Sequence, residues 1–265
     1  MKIVSWNINS LRLRLPLLKK FITEAAPDVI CLQEIKVNDP DFPLLEVQAL
    51  GFDFIEFSGE KSYNGVAILS KFPLTKVEKI DIENYGHKRH ISATLQTKVG
   101  EVVLHNFYVP AGGDIPDVVL NNKFDHKLKF VDWMTAYFSP LKDQKIIIVG
   151  DMNIAPLEHD VWSHKQLLKI VSHTPIEVEK MTALQQSLDW VDTHRHFVAA
   201  TEKLYSWWSY RALDPLGSNK GRRLDHIWAT PNLKDQIKSM KIYQDFRIHT
   251  QPSDHVPIET VFDLI

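Results

Sequence analysis

Only Lys98-Val99-Gly100 separates two β-type stretches, Arg89 to Thr97 and Glu101 to Tyr108. So short a link joins antiparallel neighbours, because a parallel return needs a crossover of a dozen or more residues. A sheet that holds this pair is not all-parallel. Helical spacing nevertheless recurs between other strand-like runs. Leu17, Leu18, Phe21, Ile22 and Ala25 predict a helix that stops near Ala26, ahead of Pro27. Phe124, Leu128, Val131 and Met134 predict the inward face of a long helix from Lys123 to Phe138. Thr174-Pro175-Ile176-Glu177 reads as a capping box opening another. Asp41 reads as the N-cap of a short helix, with Pro43 in its first turn and Gly51 as its stop. Further strands are expected over Lys2 to Ile8, Asp28 to Leu32, Gly65 to Ser70, Lys145 to Val149, Asp225 to Thr230 and Val256 to Phe262. This is an α/β chain with mixed strands. Periodicity alone does not choose one α/β layout over another.

No repeat, low-complexity segment or Gly/Ser-rich linker divides the 265 residues, so one domain over 1–265 is expected. An apolar share of 44% supports a substantial core. The single cysteine, Cys31, lies in an apolar run and has no internal disulfide partner, which fits a reducing, cytoplasmic setting. The start has no signal-peptide layout, and no window is apolar enough for a membrane span. A net charge of -2 argues against coating nucleic acid by bulk charge. A local basic rim is still available from Lys36, Lys61, His87-Lys88-Arg89, Lys123, Lys127, Arg195, Arg211, Lys220 and Arg222-Arg223.

Polar groups close several of the strand-like runs. Asn7 follows Ser5-Trp6, Glu34 follows Val29 to Gln33, Asp151 and Asn153 follow Lys145 to Val149, and Asp254-His255 precede Val256. Strand ends are rigid places from which to aim a side chain. Four such ends can build one metal-assisted hydrolytic site. Glu34 is a carboxylate of the kind that ligates Mg²⁺. Asp151 and Asn153 alternate along one extended segment and so face the same side. His255 has no Cys or His partner at zinc-ligand spacing. Each of these has an ordinary alternative: a turn former for Asn7, a loop cap for Asp151 and Asn153, a core strand for Asn106 to Val109.

Six ordered motifs tip the balance: Trp6-Asn7-Ile8-Asn9, Leu32-Gln33-Glu34-Ile35-Lys36, Tyr108-Val109-Pro110, Gly150-Asp151-Met152-Asn153, Arg223-Leu224-Asp225 and Ser253-Asp254-His255. Together they resemble the exonuclease III family of abasic-site endonucleases, within the endonuclease/exonuclease/phosphatase superfamily. The resemblance runs from Met1 to about Phe262. It implies a four-layer αββα sandwich of two packed mixed sheets flanked by helices. It implies Mg²⁺ as cofactor, with Mn²⁺ as a substitute, held among Asn7, Glu34, Asp151, Asn153, Asp254 and His255. It implies catalytic roles for Tyr108, Asp151, Asn153, Asp225 and His255: Asp151, oriented by Asn153, activates water, and His255 pairs with Asp225. The products would be a 3′-hydroxyl and a 5′-phosphate. Tyr205 to Tyr210 matches the segment that walls a pocket for a flipped abasic sugar. Trp207, Leu224, Arg211, Arg222 and Lys36 are therefore expected at the substrate.

Two departures bear on substrate preference. Arg222 stands where the eukaryotic branch has Trp. Ala111 stands where relatives carry an amide, and Gly112 and Gly113 offer backbone N–H groups instead. The implied partner is double-stranded DNA with abasic sites, nicks or blocked 3′ ends, met by a monomer and with no membrane. The rivals are a 3′-phosphatase or exonuclease with little abasic incision, a phosphoesterase acting on sphingolipid or inositol phosphates, and a catalytically dead DNA-binding module. Trp207-Trp208 and Arg211 match the DNA-acting branch and disfavour the second.

Overall fold

The computed structural model describes residues 1–265. Twelve strands form two six-stranded sheets. The first contains β1 (Lys2–Asn7), β2 (Val29–Gln33), β3 (Phe54–Ser58), β4 (Val66–Ser70), β11 (Ile237–Ile242) and β12 (Ile258–Phe262), in the order β11-β12-β1-β2-β4-β3. The second contains β5 (Thr75–Glu78), β6 (His90–Thr97), β7 (Gly100–Tyr108), β8 (Ile146–Asp151), β9 (Val191–Asp192) and β10 (Asp225–Ala229), in the order β5-β6-β7-β8-β10-β9.

Each sheet has one parallel pair, and it is central: β1 with β2, and β7 with β8. The crossovers that parallel pairing requires are α1 (Leu11–Ala25) and a connection built round α3 (Asn122–Phe138). All other neighbours are antiparallel, including β6 and β7, joined by the predicted hairpin. The polypeptide therefore delivers the carboxyl ends of four central strands to one edge of the sandwich. The antiparallel β10 and β12 deliver their amino ends to the same edge.

Period-two alternation builds the layers. Ile3, Val29, Cys31, Ile68, Leu104, Ile147, Val149 and Ile227 point between the sheets into one core. Val4, Trp6, Ile30 and Leu32 point the other way, onto Leu18 and Phe21 of α1. Ile146, Ile148 and Trp228 pack on Phe130, Met134 and Phe138 of α3, and on Met181 and Leu184 of α5 (Pro175–Ser187), which follows the short α4 (His164–Leu167). This is the αββα sandwich. Thr174 and Glu177 cap α5 reciprocally, as the sequence predicts.

Asp41 is a correction. It closes a short 3₁₀ turn, and α2 (Leu44–Gln48) begins only after Pro43, with no side-chain cap. β12 starts at Ile258 rather than Val256, because Pro257 has no N–H for the ladder. Cys31 is buried in the inter-sheet core, and burial pushes its thiol well above the ordinary range. No helix is long and apolar enough to cross a membrane.

Candidate active site

A polar crosslink ties the two sheets beneath the strand ends. Gln33 Nε2 donates to Asn106 Oδ1 at 2.7 Å and to Ser5 Oγ at 3.1 Å. Asn106 Nδ2 donates to the Leu32 and Ala67 carbonyls, both at 2.9 Å. These bonds fix the separation of the β2 and β7 ends, and no local pattern in the chain announces them.

Above that floor the motif residues meet. Asn7 Nδ2 donates to Glu34 Oε1 and to Asp151 Oδ2, each at 2.9 Å, so one amide spans carboxylates from the two sheets. Tyr108 donates its hydroxyl to Glu34 Oε1 at 2.6 Å. Burial, then the Glu34 and Asp151 charges, push that phenol well above its usual range and keep it a donor. Lys36 pairs with Glu34 at 2.7 Å and donates to Asn9 Oδ1 at 2.6 Å.

The β7–β8 register sets Tyr108 against Asp151. Gly150 is required there: at φ 147° a Cβ would lie 2.0 Å from the Phe107 carbonyl oxygen. Asp151 and Asn153 do not come together by strand alternation. Asn153 sits at φ 52°, and its N–H donates back to Asp151 Oδ1 at 2.9 Å in an Asx turn. Its side-chain amide then donates to Asp151 Oδ2 at 3.1 Å and to the Val109 carbonyl at 2.9 Å. Asn9, Glu34 and Lys36 are also left-handed, so backbone strain concentrates at this edge.

β10 brings Asp225 opposite Asp151, and the residues before β12 bring His255 between them. His255 Nδ1 lies 2.8 Å from Asp225 Oδ2, and Nε2 lies 3.5 Å from Asp151 Oδ2. Burial alone would lower the imidazole. The carboxylates of Asp225, Asp151 and Asp254 outweigh it and raise it to about 10, so the ring is an imidazolium at neutral pH. Burial raises the Asp151 carboxyl to about 7, against the pull of that imidazolium. Ser206 donates to Asp225 Oδ2 at 2.6 Å, while Asp225 Oδ1 is buried with no partner. Ser253 anchors the loop by donating to the Asn7 carbonyl at 2.7 Å.

Asp254 points elsewhere. Its oxygens accept from Asn9 Nδ2 at 3.1 Å and from Trp207 Nε1 at 3.0 Å. Asn9 thus links Lys36, Asp254 and Tyr210, a role the sequence reading missed.

Glu34, Tyr108, Asn153, Asp254 and His255 line a cleft of about 990 Å³, with Trp207, Arg211, Arg222 and Leu224 on its walls, while Asp151 and Asp225 are buried and Lys36 is held outside the lining on Glu34. Tyr205 and Trp208 turn away into the α1-side core, so the aromatic segment serves core and cleft with different residues. Arg222 lies 5.2 Å from the Trp207 ring centroid and donates to Ser172 Oγ at 2.7 Å and the Val171 carbonyl at 3.0 Å. Arg211 is exposed at the rim.

Several members of the expected basic rim are inside the molecule. Arg89 is buried 4.7 Å from the Tyr108 ring centroid, Lys127 is wholly buried, and Arg195 and Arg223 are locked into ion pairs. Arg223 binds both Asp160 oxygens, at 2.8 and 2.9 Å, and reaches Asp192 at 2.7 Å. Burial would raise the Asp160 and Asp192 carboxyls. Arg223 outweighs it and holds both below the usual range, with Arg195 helping at Asp160. Depressed folded values mean stability that is present above the unfolded pKa of about 3.9 and lost as pH falls further. The urea midpoint should therefore drop as pH falls below about 4, and Arg223→Met should flatten that acid limb. An unchanged limb in the variant would refute the assignment.

Comparison with known proteins gives the same frame. The model of the endonuclease/exonuclease/phosphatase family matches residues 4–255. The chain belongs to that family. Among the family's members, exodeoxyribonuclease III of Haemophilus influenzae is 34% identical over 99% of this chain and all of its own length. An AP endonuclease from Archaeoglobus fulgidus superposes with a TM-score of 0.90 at 31% identity, covering 99% of both chains. A Neisseria 3′ phosphatase, solved with a product DNA hairpin, also superposes at 0.90, with 28% identity over 99% of both chains.

The family's hydrolytic chemistry has a matching donor set here. The nearest ligand atoms of Asp151, Asp225 and His255 lie within 4.8 Å of one another, a spacing that suits a metal ion only when the His255 ring is neutral. Glu34, Asp151, Asp225 and Asp254 outnumber Lys36 and the imidazolium, leaving an excess of negative charge. The donors of Glu34, Asn7 and Asp151 are oxygens gathered round one amide, so a hard dication fits.

Proposed function

We propose that this chain, working as one domain over residues 1–265, is a DNA-repair phosphodiesterase of the exonuclease III type. It incises 5′ of abasic sites, trims blocked 3′ ends and degrades duplex DNA from 3′ ends, as a cytoplasmic monomer. The observation that carries the reading is the meeting of Glu34 and His255, in a cleft walled by Trp207 and Leu224, with the buried carboxylates of Asp151 and Asp225 directly behind them.

Mg²⁺, with Mn²⁺ as substitute, is assigned to Glu34, Asn7 and Asp151. When bound, the ion supplies charge neutralisation and phosphate orientation. Asp254 is assigned to orienting, because hydrogen bonds engage both its oxygens, and His255 to charge stabilisation, because an imidazolium has no lone pair for a metal, while Asn153 keeps its side-chain oxygen as a further candidate ligand. Asp151, raised towards neutrality and aligned by Asn153, accepts a proton from the attacking water. The His255 imidazolium, fixed by Asp225, offsets charge developing on a phosphoryl oxygen. Tyr108 donates to the leaving oxygen. The N–H groups of Gly112 and Gly113 make no hydrogen bond within the protein, which suits phosphate contact where relatives use an amide.

A duplex oligonucleotide carrying one abasic site tests the reading. Incision with Mg²⁺ and none with chelator is expected, and a 3′-hydroxyl and 5′-phosphate should result. Release of a 3′-phosphate at a nick, with no abasic incision, would favour the narrower 3′-phosphatase reading that the Neisseria neighbour suggests. Binding should weaken steeply with salt, by a slope of about -0.9 in log K per phosphate neutralised. A near-zero slope would point to a small phosphoester substrate.

Trp207→Ala should slow abasic incision by roughly ten- to a hundredfold, about 1–3 kcal/mol, by analogy with aromatic stacking on nucleic acid. Release of a nick 3′-phosphate should fall less, because no sugar pocket is filled. Trp207→Phe separates the wall from the Asp254 hydrogen bond. Equal losses on both substrates would withdraw the pocket assignment.

A further inference from the structure

Lys127 projects from α3 into the interior with no solvent exposure. An ammonium has three donors, and here three acceptors surround it: the Asn153 carbonyl at 2.7 Å, the Ala111 carbonyl at 3.3 Å and Glu177 Oε1. Glu177 also accepts from the N–H of Ser172 at 2.9 Å, the N–H of Thr174 at 3.0 Å and the Thr174 hydroxyl at 2.7 Å. Ser172 in turn accepts from Arg222. One buried cation therefore braces three neighbouring segments at a single point: the turn that carries Asn153, the strap from Ala111 to Gly113 beside Tyr108, and the Ser172 loop that backs the Arg222–Trp207 wall. The strap is folded tightly on the lysine stem. A Cβ on Gly112 would lie 2.8 Å from Lys127 Cδ, at φ 88°.

We infer that Lys127 is a positioning residue for hydrolysis: its ammonium sets the Asn153 turn, and through it Asp151, relative to the strap that faces the scissile phosphate. It touches neither substrate nor reacting atoms. The inference rests on the nuclease reading and deepens it. Burying a lysine is costly, and an ion pair with Glu177 alone would answer the charge. The two carbonyl bonds go beyond charge compensation. They come from segments whose other side-chain tie is the single bond from Asn153 Nδ2 to the Val109 carbonyl at 2.9 Å.

Two variants separate positioning from plain stability. Glu177→Gln keeps the ammonium on both carbonyls but unbalances the charge. It should lower the thermal midpoint while kcat on an abasic duplex stays within about threefold. Lys127→Met with Glu177→Gln restores neutrality and should recover the midpoint. Its kcat should nevertheless fall about ten- to a hundredfold with little change in KM, since a displacement on the order of 1 Å can cost that much. Amide exchange at 111–114 and 152–155 should rise in the double variant and not in Glu177→Gln. Should the double variant fail to fold, Lys127→Gln with Glu177→Gln takes its place.

Wild-type kcat in the neutral double variant overturns the inference, and so does activity that merely follows the midpoint across the series. Wild type and Asp151→Asn are assayed alongside. If wild type is inactive on the duplex, the nuclease reading fails, and the exchange data alone decide whether Lys127 holds the two segments.

Discussion

Asp151→Asn is expected to abolish hydrolysis and leave the fold in place. The side chain keeps its size and its site at the end of β8. It loses the group assigned to take the proton from water, and it loses one negative charge from a crowded acidic floor. Removing a general base costs about 10²–10⁴ in rate, and more where a cation site is weakened too. The fold should tolerate the change because the Asn153 N–H can still donate to the amide oxygen at the Oδ1 position, and only the Oδ2 contacts with the Asn7 and Asn153 side-chain amides are given up. Binding of abasic duplex should persist or tighten, since a carboxylate facing phosphate is gone. Single-turnover cleavage and a binding titration on one duplex decide it. Wild-type turnover would remove Asp151 from the mechanism. Lost binding with an intact fold would make it a binding residue instead.

His255→Ala and Asp225→Ala should each be severe, by about 10²–10³ in kcat, and should not add. The two side chains share one short contact, and both are buried. Removing Asp225 removes the largest influence holding the imidazole protonated and the bond that fixes the ring, so an oriented imidazolium is lost either way. The double variant is therefore expected to be about as slow as the worse single. Ser206, which also bonds Asp225, gives an internal comparison, and Ser206→Ala should cost far less than either. Fully additive losses in the double-mutant cycle would show two independent groups rather than one unit.

The contrast between Asp151 and Lys127 shows what kind of information local sequence holds. Asp151 ends a run of β-branched residues and follows a glycine whose reason is local, the close approach of β7 and β8. Lys127 lies in a helix whose charged positions otherwise look solvated. Nothing near it in the chain distinguishes it from Lys123 or Lys129, both exposed. Arg89 and Arg223 were likewise indistinguishable from rim cations. Whether a cation is buried depends on partners supplied from remote segments, here Tyr108 for Arg89, and Asp160 and Asp192 for Arg223. The edge strands β3, β5, β9 and β11 were also missed. They are short or half-exposed, and their pairing is decided by the neighbour they lie against.

The sequence by itself determined the central strands, the amphipathic faces of α1 and α3, the capping box of α5, the β6–β7 hairpin and the polar residues that close the strand runs. Those features follow from spacing, turn length and backbone restriction over a few residues, so they are local. The tertiary structure alone decided that β12 inserts between β11 and β1, and that β10 runs antiparallel to β8. It also decided that Gln33 and Asn106 pin the sheets together. Those choices bring Asn7, Glu34, Asp151, Asp225 and His255 within reach of one another. The physical reason is that each apolar strand face is satisfied only by a partner sheet, so sheet order and packing are settled by the whole buried surface at once.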